Sequence, residues 1–269
     1  MRLSEARVVL TGASGGIGLA IATALCASGA RVLAVARHRE PLEPLLERYP
    51  QHLCWLGADL TLAADRHKVL AAAEIVGGIN LLINAAGVNH FAMLEQLADT
   101  DVDAMLAVNI SAPICLTKTL LPLLKQAESA MVVNVGSTYG SIGYPGYASY
   151  CASKFALRGF SEALRRELAD TRVGVLYVAP RATRTSMNSP AAQALNDALK
   201  SNVDDPQHVA SAVMHAIAGD RRDLYLGWPE RFFVRLNSLL PNLVDRGLRK
   251  QLPLIRRLSQ KPENEHMKP

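Results

Sequence analysis

Cysteine, aromatic rings and a surplus of one charge are all scarce in this chain. Four cysteines in 269 residues (Cys26, Cys54, Cys115, Cys151) are too few for a disulfide scaffold, and no two form a C-x-x-C pair. They read as small hydrophobes in a reducing compartment, and no metal site is read from the chain. Intrinsic disorder is excluded as well. With 49% hydrophobic and 20% charged residues, the chain has enough apolar material for one sizeable core. Its length allows one large or two small domains.

The net charge of +5 belongs to one segment. Residues 1–227 hold 20 basic and 20 acidic side chains, whereas residues 228–261 hold eight basic against two acidic. A neutral body gives no footprint for nucleic acid. Residues 8–30 carry no charge and imitate a signal peptide or a membrane span. Five glycines, four of them within 12–18, and Glu5 in the would-be basic leader argue against both, so a cytoplasmic protein is the expectation.

Short β-rich runs alternate with helical patterns. Residues 7–10, 31–35, 52–56, 80–83, 131–135 and 173–178 are nearly continuous apolar runs, as parallel strands covered on both faces require, and 223–226 adds a seventh. Helical patterns fall at 16–28, 39–48, 62–76, 97–124, 148–170 and 206–218. This alternation predicts an α/β fold: one doubly wound (Rossmann) parallel sheet of about seven strands over 1–227. Residues 228–269 would form a basic amphipathic helical extension.

Three motifs carry chemistry. Thr11-Gly-Ala-Ser-Gly-Gly-Ile-Gly18 follows the first strand and opens the first helix. Its glycines let backbone approach a pyrophosphate, whose charge meets free N–H groups at the helix start. Two glycine spacings are satisfied at once, so the motif does not choose between subfamilies. The second strand ends Val35-Ala36-Arg37, with no carboxylate for a ribose 2′-hydroxyl and with an arginine able to fork onto a 2′-phosphate. That favours NADP(H) over NAD(H). In Tyr150-Cys-Ala-Ser-Lys154 the phenol and the ammonium share a helical face. Ser137 stands thirteen residues upstream, just past a strand, and residues 129–153 are uncharged.

Taken jointly, these features resemble the short-chain dehydrogenase/reductase family over residues 5–227, in its shorter-chained branch. The glycine motif, Asp59, Asn84-Ala-Ala-Gly87, Asn109, Ser137, Tyr150 with Lys154, and Pro180 occur in the family's order. The resemblance implies cofactor contacts at Gly12, Ser14, Gly16, Ile17, Gly18, Arg37, Asp59 and Leu60. It implies others at Asn84, Ala85, Gly87, Tyr150, Lys154, Pro180 and Thr185. It further implies catalysis by Asn109, Ser137, Tyr150 and Lys154 on a small-molecule carbonyl or alcohol. Tyr150 would give the proton to the carbonyl oxygen, its pKa drawn down from about 10 by Lys154, joined by the positive nicotinamide when the oxidised cofactor is bound. Ser137 would hydrogen-bond that oxygen, and Asn109 would hold a water relaying protons to Lys154. Relatives commonly pair through helices corresponding to 97–124 and 148–170, which implies a homodimer or homotetramer.

Departures are expected to matter. Ala85 replaces a second asparagine, and Pro180-Arg-Ala-Thr-Arg-Thr185 replaces the usual Pro-Gly-x-Val-x-Thr. Arg181 and Arg184 would then stand near the cleft, to meet an anionic substrate group or simply to form salt bridges. Residues 186–205 fall where the family places a mobile lid. A silent NADP-binding scaffold and a sugar-nucleotide epimerase or dehydratase are the alternatives, opposed by the intact tetrad and by the short chain. In the extension, Phe232, Phe233, Leu236, Leu239 and Leu240 share one helix side, and Pro241 and Pro253 should break it into two or three pieces. That apolar side would either lie on a membrane or be buried against the body or a partner subunit. A lipid-like or long-chain acyl carbonyl substrate is favoured.

Overall fold

The five inner apolar runs become strands covered on both faces, and the two edge runs stay partly exposed. In the computed structural model, which describes residues 1–260, all seven form one parallel sheet in the order β3-β2-β1-β4-β5-β6-β7. The strands are β1 (Arg7–Thr11), β2 (Arg31–Ala36), β3 (Leu53–Gly57), β4 (Leu81–Asn84), β5 (Ala130–Val135), β6 (Val173–Ala179) and β7 (Asp223–Tyr225). Val8 and Leu10 turn to one face, toward helices α1 (Gly16–Ala27) and α8 (Pro206–Ala218). Val9 turns to the other, toward α3 (Ala63–Ile75), α5 (Ala112–Gln126) and α6 (Ala148–Glu167). A short α2 (Glu43–Arg48) leads into β3.

Strand order reverses between β1 and β4, so the loops leaving them diverge and open a crevice at their carboxyl ends, where such sheets bind ligands. Thr11 holds the two loops in register: its Oγ1 accepts the backbone N–H groups of Ala85 and Ala86, each at 3.1 Å.

Two expectations are corrected, and the segment expected to form a lid proves partly helical. The long helix at 97–124 is interrupted: α4 (Asp99–Leu106) passes through one π-helical turn, Ala107–Ser111, before α5. That turn carries Asn109 inward, buried to 1% exposure. The supposed mobile lid contains α7 (Pro190–Ala198), for which Ser189 supplies the N-cap by accepting the Ala192 N–H at 3.2 Å and Pro190 the preset first turn. In the extension, α9 (Glu230–Leu239) does end before Pro241, but α10 (Pro241–Ser259) continues through Pro253. Pro253 is exposed, so the carbonyl it leaves without an N–H partner can be hydrated. Residues 261–269, including Lys261 of the basic run, lie outside the described residues.

Candidate active site

Six strand ends build one cavity of about 640 Å³. The glycine turn after β1, the ends of β2 and β3, the loop after β4 and the turns after β5 and β6 contribute Gly12, Arg37, Asp59, Gly87, Ser137 and Pro180 respectively. Ser14, Gly16, Ile17, Gly18, Leu60, Ala85, Tyr150, Lys154 and Thr185 line it too.

The cradle at one end fits a dinucleotide. No side chain caps α1, whose first turn holds no acidic residue, so its N–H groups open on the cavity. Gly12 has φ +64°, and a Cβ there would sit 2.6 Å from the Ala86 backbone nitrogen. At Gly16 a Cβ would sit 2.6 Å from the Thr185 methyl, so Thr185 closes directly over the glycine turn. Gly12→Ala is therefore expected to cost about 1–3 kcal/mol from backbone strain, before any clash is counted, and to weaken dinucleotide binding. Gly15→Ala is the control, since its nearest neighbour would be the Gly12 oxygen at an ordinary 3.4 Å. Thermal denaturation and cofactor titration of the pair provide the check.

Farther along, Arg37 is exposed, lines the cavity and makes no ion pair among the described residues. Neighbouring Arg39 instead lies over the Trp55 ring, at 5.9 Å. Asp59 is held below the usual carboxylate range by hydrogen bonds from the Thr61 hydroxyl and N–H, with the Arg37 charge adding to the effect.

At the other end, α6 brings Tyr150 and Lys154 beside Ser137. Lys154 is only 4% exposed, and its Nζ donates to the Val135 carbonyl at 3.1 Å. Burial pushes the ammonium down to about 8. The same burial pushes the Tyr150 phenol up to about 12, with hydrogen bonding by Ser137 pulling the other way. Without the cofactor's charge, burial is the largest influence on both groups: Lys154 bonds a carbonyl rather than the phenol, with Nζ 5.6 Å from the centre of the Tyr150 ring.

Two sequence candidates stand outside the lining. Asn84 spends its amide across the sheet, Nδ2 donating to Asn134 Oδ1 at 2.8 Å and to Thr117 Oγ1 at 3.2 Å. Asn109 fastens the loop after β4: its Oδ1 accepts the Val88 N–H at 2.8 Å, and its Nδ2 donates to the Val88 carbonyl and to Ser153 Oγ. Ser153 in turn donates to the Tyr150 carbonyl at 2.7 Å, so the π-helical turn steadies the helix bearing Tyr150. Val88 and Ser153 take both amide hydrogens of Asn109, and its Oδ1 keeps one lone pair.

Arg181 lines the cavity with its charge already paired. It pairs with Asp204 at 2.7 Å and Glu230 at 3.3 Å, tying the turn after β6 to α9. Arg184 is exposed. Sequence reading missed Tyr177, a fully buried residue of β6 whose hydroxyl donates to the Ser137 carbonyl at 3.2 Å and props the Ser137 turn from beneath. It also missed the aromatic wall beside Tyr150, in which Tyr139 packs against Tyr147 and Tyr144, each at 5.1 Å. A lone aromatic in a strand or turn carries no mark of which cavity it will face.

A sequence model of the family described as short chain dehydrogenase matches residues 6–196. An uncharacterized oxidoreductase of Bacillus subtilis, YxnA, is 29% identical over 259 residues, spanning 93% of this chain and 73% of the relative. The 3-oxoacyl-(acyl-carrier-protein) reductase FabG of Vibrio cholerae is 29% identical over 223 residues, spanning 79% and 90%. A crystal structure of a short chain dehydrogenase from Burkholderia cenocepacia in complex with NADP matches with a TM-score of 0.80 at 25% identity, over 92% of this chain and 99% of that one. One from Burkholderia phymatum in complex with NAD has a TM-score of 0.80 at 22% identity, over 98% and 99%, a likeness of fold.

Proposed function

This chain belongs to the short chain dehydrogenase family, and from that premise we propose that it is an NADP(H)-dependent ketoreductase acting on a lipid-like or acyl-thioester carbonyl. The observation that carries the reading is the convergence of Ser137, Tyr150 and Lys154 in the same cavity as the open glycine cradle. The nicotinamide, when bound, supplies or takes up the hydride at the carbonyl carbon. Tyr150 holds the proton that the carbonyl oxygen needs, and burial keeps it protonated at neutral pH. Ser137 orients the oxygen. Lys154 binds the nicotinamide ribose and supplies positive charge beside the phenol. Asn109 and Tyr177 act as positioning residues through Val88 and the Ser137 turn.

The substrate class is read from the aromatic wall and from what backs it. Tyr139 and Tyr147 line the cavity, and α10 closes in behind them: Tyr144 donates to Gln251 Oε1 at 2.7 Å, and Ile255 is fully buried. Such a wall suits a long apolar chain, and the likeness to the oxoacyl reductase points to the same class. Oxidation of NADPH in the presence of keto-acyl thioesters, steroids and sugars tests the assignment. Turnover with none of these carbonyls would defeat it and favour the scaffold reading.

NADPH should bind roughly ten- to a hundredfold more tightly than NADH, because a charge-assisted hydrogen bond to phosphate contributes about 1.5–3 kcal/mol. Arg37→Ala should bring the two dissociation constants together. Tighter NADH binding by the unaltered protein would refute the preference. The catalytic body would be residues 1–227, pairing as a homodimer or homotetramer through α4–α5 and α6, where Leu106 and Phe155 are exposed. Its place would be the cytoplasm, with residues 228–260 as a peripheral contact to the inner face of a membrane.

A further inference from the structure

Helix α9 presents its apolar side to water. Its inward residue is Val234, 8% exposed, flanked by two polar ties: Asn237 Nδ2 donates to the Ser141 carbonyl at 3.0 Å, and Glu230 pairs with Arg181. On the outward side Phe232, Phe233, Leu239 and Leu240 are 48%, 44%, 79% and 54% exposed. Trp228 joins them at 73%, its ring 6.0 Å from Phe232. A helix on an ordinary protein surface has the opposite arrangement, with the wide apolar stripe against the core.

Helix α10 is built the usual way round. Ile255 and Ser259 are buried and Leu248 and Leu252 half-buried, while Arg246, Arg249, Lys250, Arg256 and Arg257 are exposed. Leu243, 52% exposed, lies two helical turns before Lys250 on the same side, so the apolar side of α9 runs on into the basic side of α10.

We propose that this surface docks on an anionic lipid bilayer, with the rings and leucines of α9 entering the headgroup region and the α10 cations meeting lipid phosphates. Charge selects the occupant. A second copy would bring the same arginines and lysine together, and a neutral apolar partner would leave them unmatched. An anionic lipid surface satisfies both halves, and exposed Trp and Phe beside Lys and Arg are the side chains that settle at that boundary. Glu230, which opens α9, lines the cavity, as does Met187, 43% exposed. Docking therefore brings the cleft mouth to the bilayer, and a lipid carbonyl could enter without crossing water. That last consequence rests on the ketoreductase reading; the docking itself does not.

The test is co-sedimentation of the full-length protein with vesicles of phosphatidylcholine alone and of phosphatidylcholine mixed with phosphatidylglycerol, at low and high salt. The protein should pellet with the mixed vesicles at low salt, and its tryptophan emission should shift to the blue as Trp228 leaves water. Each basic residue near an anionic surface is worth roughly fivefold in partitioning, so R246Q/R249Q/K250Q should bind about a hundredfold more weakly. F232S/F233S/L239S should bind little. All six positions are outside the cavity lining, so cofactor binding should be unchanged in both variants and reports an intact fold. Failure of the unaltered protein to pellet with mixed vesicles, or undiminished pelleting by either variant, would overturn the proposal. So would self-association in light scattering that the serine variant abolishes, which would identify a second copy as the occupant. Vesicle binding without turnover of any carbonyl would sink the ketoreductase reading and leave the docking standing.

Discussion

Tyr150→Phe should keep cofactor affinity within a few-fold of the original and lower kcat by roughly a hundred- to ten-thousandfold, the usual worth of a positioned proton donor. The ring stays in the aromatic wall beside Tyr139 and Tyr147, so the loss is confined to one hydroxyl. The pH dependence follows from its direction of shift. A phenol pushed up to about 12 remains protonated over the neutral range, so ketone reduction should vary little with pH there. Alcohol oxidation needs the deprotonated phenol and should quicken as pH rises. Steady-state kinetics in both directions, with single-turnover mixing to isolate the chemical step, provide the measurement. Near-normal turnover in the phenylalanine variant would remove Tyr150 from the mechanism.

Lys154→Met should lower kcat/KM by a factor on the order of a thousand and, unlike most active-site changes, relieve the folded chain of a desolvated charge. Burial lowers Lys154 from the ordinary value near 10.5 to about 8. Below pH 8 the folded and unfolded states both carry the proton, and the folded state bears the burial penalty, about 3 kcal/mol for such a shift. Between pH 8 and 10.5 the folded state has released the proton while the unfolded state keeps it, so this contribution to stability rises with pH. The methionine variant lacks the rise. It also loses the hydrogen bond to Val135, which offsets about 1–2 kcal/mol of its gain at neutral pH. The sharper expectation is therefore the slope: the stability of the original minus that of the variant should increase from pH 8 to 10. Taking this difference cancels the buried cysteines and tyrosines, whose raised pKa values push stability the other way at high pH. Denaturant melts at several pH values check it, and a flat difference would show that Lys154 is not desolvated.

The five inner strands were legible as apolar runs requiring cover on both faces, and sequence alternation placed all seven to within a few residues. The glycine turn was legible because only glycine can take φ +64° against the Ala86 backbone, and Tyr150 with Lys154 because four residues make one helical turn. These are local constraints, written in neighbouring residues. α7 had a local signal too, in Ser189-Pro190, although that stretch reads on its face as a loop.

Other features depend on partners remote in the chain. Nothing near Arg181 announces that Asp204 and Glu230 will hold it, nothing near Tyr177 that it will prop Ser137, and nothing near Asn109 that Val88 will take its amide. The burial that moves the pKa values of Tyr150 and Lys154 is hidden from the sequence for the same reason. Spacing gives the distance between two groups, whereas desolvation is set by every element packed around them. The extension divides along this line. Its sequence determined two amphipathic segments and their charge. Only the tertiary structure decided that α10 turns its apolar side to the body and α9 turns its own to water, because the ties of Asn237 to Ser141 and of Glu230 to Arg181 fix which side of α9 faces inward.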